Sequence, residues 1–189
     1  MLQACILQTM AFILWGLLLF LLICLLALTV AIVITIIFII PMIRGAVYVP
    51  SKPDAIEAMI KLGQIGKGKK VAELGCGDGR VVVALAKTGA EVHGYEINPI
   101  LIWRARRAVA KAGLSNRAFV HAQSYWNADL NSYDVVAVYG ITYIMKRLEA
   151  KLRSELRPGS RVVSNYFRFP SWTPQRTLAG VHLYRVLKT

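Results

Sequence analysis

Charge is missing from the first 43 residues of this 189-residue chain: no Lys, Arg, Asp or Glu occurs before Arg44. A buried core helix rarely needs so many uncharged residues in a row. Residues 10–43 are almost entirely Leu, Ile, Val, Phe and Ala, and about 20 such residues cross a bilayer core. A cleaved secretory signal is excluded as well, because no basic residue precedes the run and the run is too long. The pattern predicts a single transmembrane helix over about residues 10–43, with Pro41 and Arg44 marking its exit. The expected organisation is a membrane anchor, residues 1–44, followed by one domain, residues 45–189.

Acid is scarce too. Ten Asp and Glu stand against 23 Lys and Arg, and the whole net charge of +13 lies after residue 43. The positive-inside tendency places the domain on the cytoplasmic side of a membrane, or in the equivalent mitochondrial matrix. Its basic residues are spread over segments 67–70, 104–111 and 146–157. That spread suits anionic lipid headgroups and a solvated surface better than a nucleic-acid tract. Cysteine is equally sparse. Cys5, Cys24 and Cys76 have no metal-type spacing and are odd in number, which excludes a disulfide framework. His93, His121 and His182 stand apart in sequence, so no metal site is expected.

What is present after residue 48 alternates between helix and strand. YVPSKPD (48–54) is a linker that opens a helix near Pro53, over 55–62. Strands are expected at 71–74, 91–95, 118–122, 134–139 and 161–166, and 181–187 reads as an antiparallel edge strand. Helices fall at 80–87, 98–111 and 142–156; Asn98-Pro99 opens the second, and Arg157-Pro158-Gly159 stops the third. Residues 167–174 form an aromatic, proline-bearing loop. The fold class is an α/β sandwich, Rossmann-like, on a mostly parallel sheet with helices on both faces. Ligands in such folds bind beyond the carboxyl ends of the strands.

The first strand runs into VAELGCGDGRVVV (71–83), with Gly75, Gly77 and Gly79 at alternate positions. A dinucleotide fingerprint needs glycine at positions one, three and six, and the sixth here is Arg80. Glu73 and Asp78 would also oppose a pyrophosphate. S-adenosylmethionine carries a sulfonium, an ammonium and no phosphate, so acids around it carry no penalty. Glu96, about twenty residues on, stands where a carboxylate accepts both ribose hydroxyls of an adenosine ligand.

ELGCGDG (73–79), with the acid at Glu96, resembles motif I of class I S-adenosylmethionine-dependent methyltransferases. Much of the remaining domain resembles the small membrane-anchored protein-lysine methyltransferases, through YVPSKPD, GYEINP, YGITYIMKRLEAKL and RVVSNYFRFPSWTP. That group includes enzymes acting on the ATP synthase c-subunit and the adenine nucleotide translocase. The resemblance implies a seven-stranded sheet, S-adenosylmethionine as methyl donor and no metal. Cofactor contacts are expected from Glu73, Gly75, Cys76, Gly77, Asp78, Glu96, Ile97 and Tyr139. Where many such enzymes read adenine with an acid, this chain has Gln123 and Ser124. It also has Tyr139-Gly140-Ile141-Thr142 in place of the Asn/Asp-Pro-Pro-aromatic signature of base N-methylation.

Methyl transfer to a lysine needs alignment, exclusion of water and loss of the amine's proton. An aromatic, partly desolvated channel lowers a lysine pKa. Tyr48, Tyr139, Tyr166, Phe167, Phe169 and Trp172 are the channel candidates, with Tyr48 and Pro50 folding over the cofactor; no side chain stands out as a general base. The expected activity is methylation of a lysine on a membrane or membrane-associated protein. The alternatives are methylation of a lipid or quinone, and a non-catalytic basic module docking on lipid or RNA.

Overall fold

The computed structural model describes residues 2–44 and 49–187. Two compact units divide the chain, Met1–Ile40 and Pro41–Thr189. The first is built on one helix, α1 (Leu2–Arg44), whose stretch Met10–Ile37 is long and apolar enough to cross a membrane. None of that stretch is buried against protein. Pro41 lies within the helix. Proline lacks one backbone donor, yet helical geometry continues to Arg44.

The second unit is a seven-stranded sheet in the order β3-β2-β1-β4-β5-β7-β6. The strands are β1 (Lys70–Leu74), β2 (Glu91–Glu96), β3 (Ala118–Ala122), β4 (Val135–Val138), β5 (Arg161–Asn165), β6 (Arg176–Leu178) and β7 (Val181–Arg185). β1 to β5 are parallel, with Val71 between Val92 and Val135 in register. Every residue of β4 is buried, which is why its sequence is a continuous apolar run. The strand order reverses between β1 and β4, and in such sheets the ligand crevice lies beyond the carboxyl ends of the strands at that point.

Helices α2 (Pro53–Gly63), α3 (Arg80–Lys87) and α4 (Pro99–Lys111) cover one face of the sheet. Their buried residues, among them Met59, Leu85 and Val109, close on Val71, Val92 and Val135. The other face is covered by α5 (Thr142–Glu155), through Leu148 and Leu152, with Leu130 and Tyr184. Between β3 and β4 the chain makes only a 3₁₀ turn, Tyr125–Asn127.

Two expectations are corrected. Segment 181–187 is antiparallel but lies inside the sheet, and β6 is the edge. β6 escaped the sequence reading because it is three exposed residues long. The histidines are not all isolated: parallel pairing of β2 and β3 brings His93 Nδ1 to 2.9 Å from His121 Nε2. Among the described residues they belong to no group of three metal-ligating side chains.

Candidate active site

The glycine turn is shaped by its backbone. Gly75, Gly77 and Gly79 have φ of 80°, 55° and 81°, values that L side chains seldom adopt. The Gly75 and Cys76 N–H groups both donate to the Tyr95 carbonyl, at 3.0 and 2.9 Å, so the turn is fastened to the end of β2. At Gly79 space is also limiting, since an added Cβ would lie 2.8 Å from Ala105 Cα and Cβ. Glycine there lets α3 start against α4. Around Gly75 no atom lies within 4 Å of an added Cβ, so the turn presents open backbone to the crevice.

Three carboxylates surround this turn. Glu73 is buried at the end of β1, and its Oε2 has no hydrogen-bond partner. Burial raises its pKa well above the usual carboxylate value, and the charges of Asp78 and Glu96 push the same way; a backbone hydrogen bond at Val82 acts against them. A buried acid without a partner for one oxygen is costly unless it stays protonated or meets a cation. Glu96 is differently placed. Its Oε2 accepts from Gly77 N–H at 3.0 Å, and its Oε1 from Ile97 and Asn98 N–H at 2.8 and 2.9 Å. One side chain thus joins the glycine turn to the start of α4, and its carboxylate retains acceptor capacity.

Asp78 lies beside Arg80, whose Nη2 is 2.8 Å from its Oδ2. Cys76 turns inward instead: its thiol is buried in the core cluster below the turn, where burial and then the charges of Glu73 and Glu96 raise its pKa. Only its backbone can face a ligand. Ile97 is half-buried at the crevice rim. Past β3, Gln123 is exposed and its Nε2 donates to the Asn127 carbonyl, whereas Ser124 Oγ caps the 3₁₀ turn by accepting from Trp126 N–H. Tyr125 follows; burial first, then Tyr143 and Glu96, push its pKa up to about 12, with Arg147 opposing.

Tyr139 follows β4 directly, and its ring is 6.1 Å from Phe167, which in turn meets Tyr166 edge-on at 5.1 Å. This aromatic trio stands at the carboxyl ends of β4 and β5. Trp172 and Phe169 are elsewhere: they pack on each other and on Tyr184, and Arg153 lies over the Trp172 ring. Phe169 is buried in the core cluster, and Trp172 is partly buried against it. Tyr48 lies outside the described residues. Sequence reasoning missed the buried pair of Asn165 Nδ2 and Ser51 Oγ at 3.3 Å, which ties the end of β5 to the linker before α2. It also missed His182, which reaches the Tyr166 carbonyl; its alternate-residue position in β7 was the available signal.

The residues present fit S-adenosylmethionine. Acids and open backbone line the turn, and Arg80, the basic side chain at the place of the missing third glycine, is engaged by Asp78. The unpartnered Glu73 oxygen favours a cationic neighbour.

Comparison with known proteins points the same way. The family described as the ANTKMT methyltransferase domain matches residues 73–176. The ATP synthase c-subunit lysine N-methyltransferase of Rattus norvegicus is 37% identical over 74% of this chain and 65% of its own length. A protein-lysine N-methyltransferase of Saccharolobus islandicus is 32% identical over 69% of this chain and 83% of its own. A solved RNA methyltransferase of Salinibacter ruber, in complex with S-adenosyl-L-homocysteine, superposes with a TM-score of 0.68. It is 32% identical, over 73% of this chain and 92% of that one. This chain spans about three fifths of the length of the vertebrate relatives it matches, 65% of the rat protein and 57% of the mouse protein.

Proposed function

Since this chain belongs to the ANTKMT methyltransferase-domain family, we propose that it transfers a methyl group from S-adenosylmethionine to a lysine of a membrane or membrane-associated protein. One observation carries the cofactor part of the reading: three carboxylates around an open glycine turn, one of them buried with an unpartnered oxygen. Such a site selects a cation and rejects a pyrophosphate. When bound, S-adenosylmethionine supplies an electrophilic methyl group on a sulfonium.

The chain's own residues do the rest. Gly75, Gly77 and the Cys76 backbone admit the ligand; Asp78 supplies negative potential, and Glu73 offers its unpartnered oxygen to a cationic group; Glu96 holds the turn and offers acceptors to ribose hydroxyls. Gln123 and Ser124 stand where an adenine is read. Tyr139 and Phe167 form the desolvating wall along which a lysine side chain approaches, lowering the amine's pKa and excluding water, and Tyr166 stands exposed at its mouth. The lysine preference is supported by the names of the rat and archaeal relatives. Membrane attachment is supported by α1, and a cytoplasmic or matrix-facing domain by the placement of all basic residues after residue 43. Sharing a bilayer with the substrate raises its effective concentration.

A second reading, methylation of RNA, is favoured by the Salinibacter structure and by the +13 charge. One experiment separates these. The full chain in detergent is supplied with radiolabelled S-adenosylmethionine and a total membrane fraction. Label should appear in protein as methyllysine; label in extracted RNA or in the organic phase would replace the lysine reading. In parallel, calorimetry should give micromolar binding of S-adenosylhomocysteine and none of NAD.

A further inference from the structure

Three non-glycine residues among those described have left-handed backbone. Gln64 does so as the C-cap of α2, and Ala179 beside Gly180 in the two-residue turn between β6 and β7. Both are sites where turn geometry requires it. Tyr166, with φ of 66°, is at neither, and a bulky aromatic residue is a poor choice for that conformation. Its ring is 70% exposed, so burial of the side chain does not hold it there.

The surroundings hold it. Phe167 N–H donates to the Asn165 carbonyl at 2.8 Å, closing a three-residue turn around Tyr166. Tyr166 N–H donates to the Gly180 carbonyl at 2.8 Å. Ser164 Oγ donates to the Phe167 carbonyl at 2.6 Å. The remaining anchor is His182 of β7, 5% exposed, whose Nε2 is 3.3 Å from the Tyr166 carbonyl and whose Nδ1 is 2.9 Å from Thr177 Oγ1 in β6. A carbonyl only accepts, so Nε2 donates to it, and Nδ1 accepts a hydrogen bond from the Thr177 hydroxyl. Thr177, Gly180 and His182 of the β6–β7 hairpin thus all serve to fix one strained, solvent-facing tyrosine.

Strain that the surroundings over-determine marks function. We propose that Tyr166 is a specificity-determining residue whose exposed ring receives the substrate's lysine side chain at the mouth of the crevice, and that His182, oriented by Thr177, is the positioning residue that holds it. This inference rests on the lysine reading above. A ring presented edge-on to Phe167 offers its free face to an alkyl chain and its ammonium, an arrangement stabilised by apolar contact and cation–π attraction. The strained turn carries the chain out of β5 at this point, so the ring stands clear of the sheet face instead of packing on it. The hairpin at the sheet's edge then acts on the acceptor without touching the methyl donor.

The test compares Tyr166→Ala, Tyr166→Gly, His182→Leu and His182→Gln in the full chain. Each is assayed for methyl transfer to detergent-solubilised membrane proteins at rising protein concentration, for S-adenosylhomocysteine affinity and for thermal midpoint. Tyr166→Ala and Tyr166→Gly should both raise the apparent KM for acceptor about tenfold. Tyr166→Gly should melt a few degrees above Tyr166→Ala, because glycine adopts positive φ without strain. His182→Leu should raise KM similarly, and His182→Gln, whose amide still donates to the Tyr166 carbonyl, should recover most of it. S-adenosylhomocysteine affinity should stay within about twofold throughout. An unchanged acceptor KM in Tyr166→Ala, or an effect of His182→Leu confined to S-adenosylhomocysteine affinity, overturns the inference while the lysine reading stands. If the unmodified chain labels no protein lysine, the lysine reading itself fails and this inference with it.

Discussion

Glu73 gives the domain a measurable dependence on pH. Its folded pKa is raised above the ordinary 4.5, chiefly by burial, so the folded state holds a proton that the unfolded chain releases. The folded state binds more protons between 4.5 and the raised value, and stability therefore falls as pH rises through that window. Glu73→Gln removes this slope. Its thermal midpoint relative to the unmodified chain should rise as pH rises above the ordinary 4.5 toward the raised folded value, while S-adenosylhomocysteine affinity falls about tenfold or more; a constant difference across pH would place the proton elsewhere. Glu96→Ala has a different signature. Three backbone N–H groups, of Gly77, Ile97 and Asn98, lose their acceptor together, so binding should be lost and stability should drop by about 1–3 kcal/mol in denaturant titration. The alternating glycines and the acid twenty residues later were legible as a cation-tolerant adenosine site. The unpartnered Glu73 oxygen was not, because it depends on what the fold fails to place beside it.

Elements were legible wherever a local signal coincided with a packing need. Asn98-Pro99 announced α4, and Asn98 Oδ1 does accept from Ile100 and Leu101 N–H, at 3.0 and 3.3 Å. Asn98→Ala should cost about 0.5–2 kcal/mol by thermal or denaturant unfolding without altering acceptor specificity. Gly79→Ala should be worse, since a methyl group there meets the Ala105 backbone at 2.8 Å and takes on strained φ as well; loss of cofactor binding together with a lowered midpoint is the expected result. Elements set by distant pairing escaped the reading. β6 is Arg-Thr-Leu with every residue exposed, and it is a strand only because β7 offers it an edge. The placement of β7 inside the sheet follows from that same addition. The His93–His121 contact likewise needs the register of β2 on β3, which no single segment contains.

At the scale of the whole domain, charge is distributed unevenly around the sheet. The acids of the crevice sit at the carboxyl ends of β1 and β2, whereas Lys67, Lys69, Lys87 and Arg117 surround a cleft at the opposite ends of β1 to β3, with Glu91 the acid among them. Vesicles containing anionic lipid should bind the full chain more tightly than neutral ones, and replacing Lys67, Lys69 and Lys87 together by Glu should remove most of that difference. The excess should also shrink between about 50 and 500 mM salt, as screening over about 8 Å at physiological ionic strength implies. The long helix adds a consequence of another kind. Its apolar stretch has 28 residues, about 42 Å at about 1.5 Å rise each, against a hydrocarbon core of about 30 Å. In a bilayer such a helix must lean or gather thicker lipid around itself, so it behaves as a gauge of membrane thickness. Cells that hold membranes of more than one thickness would sort a helix of this length toward the thicker one.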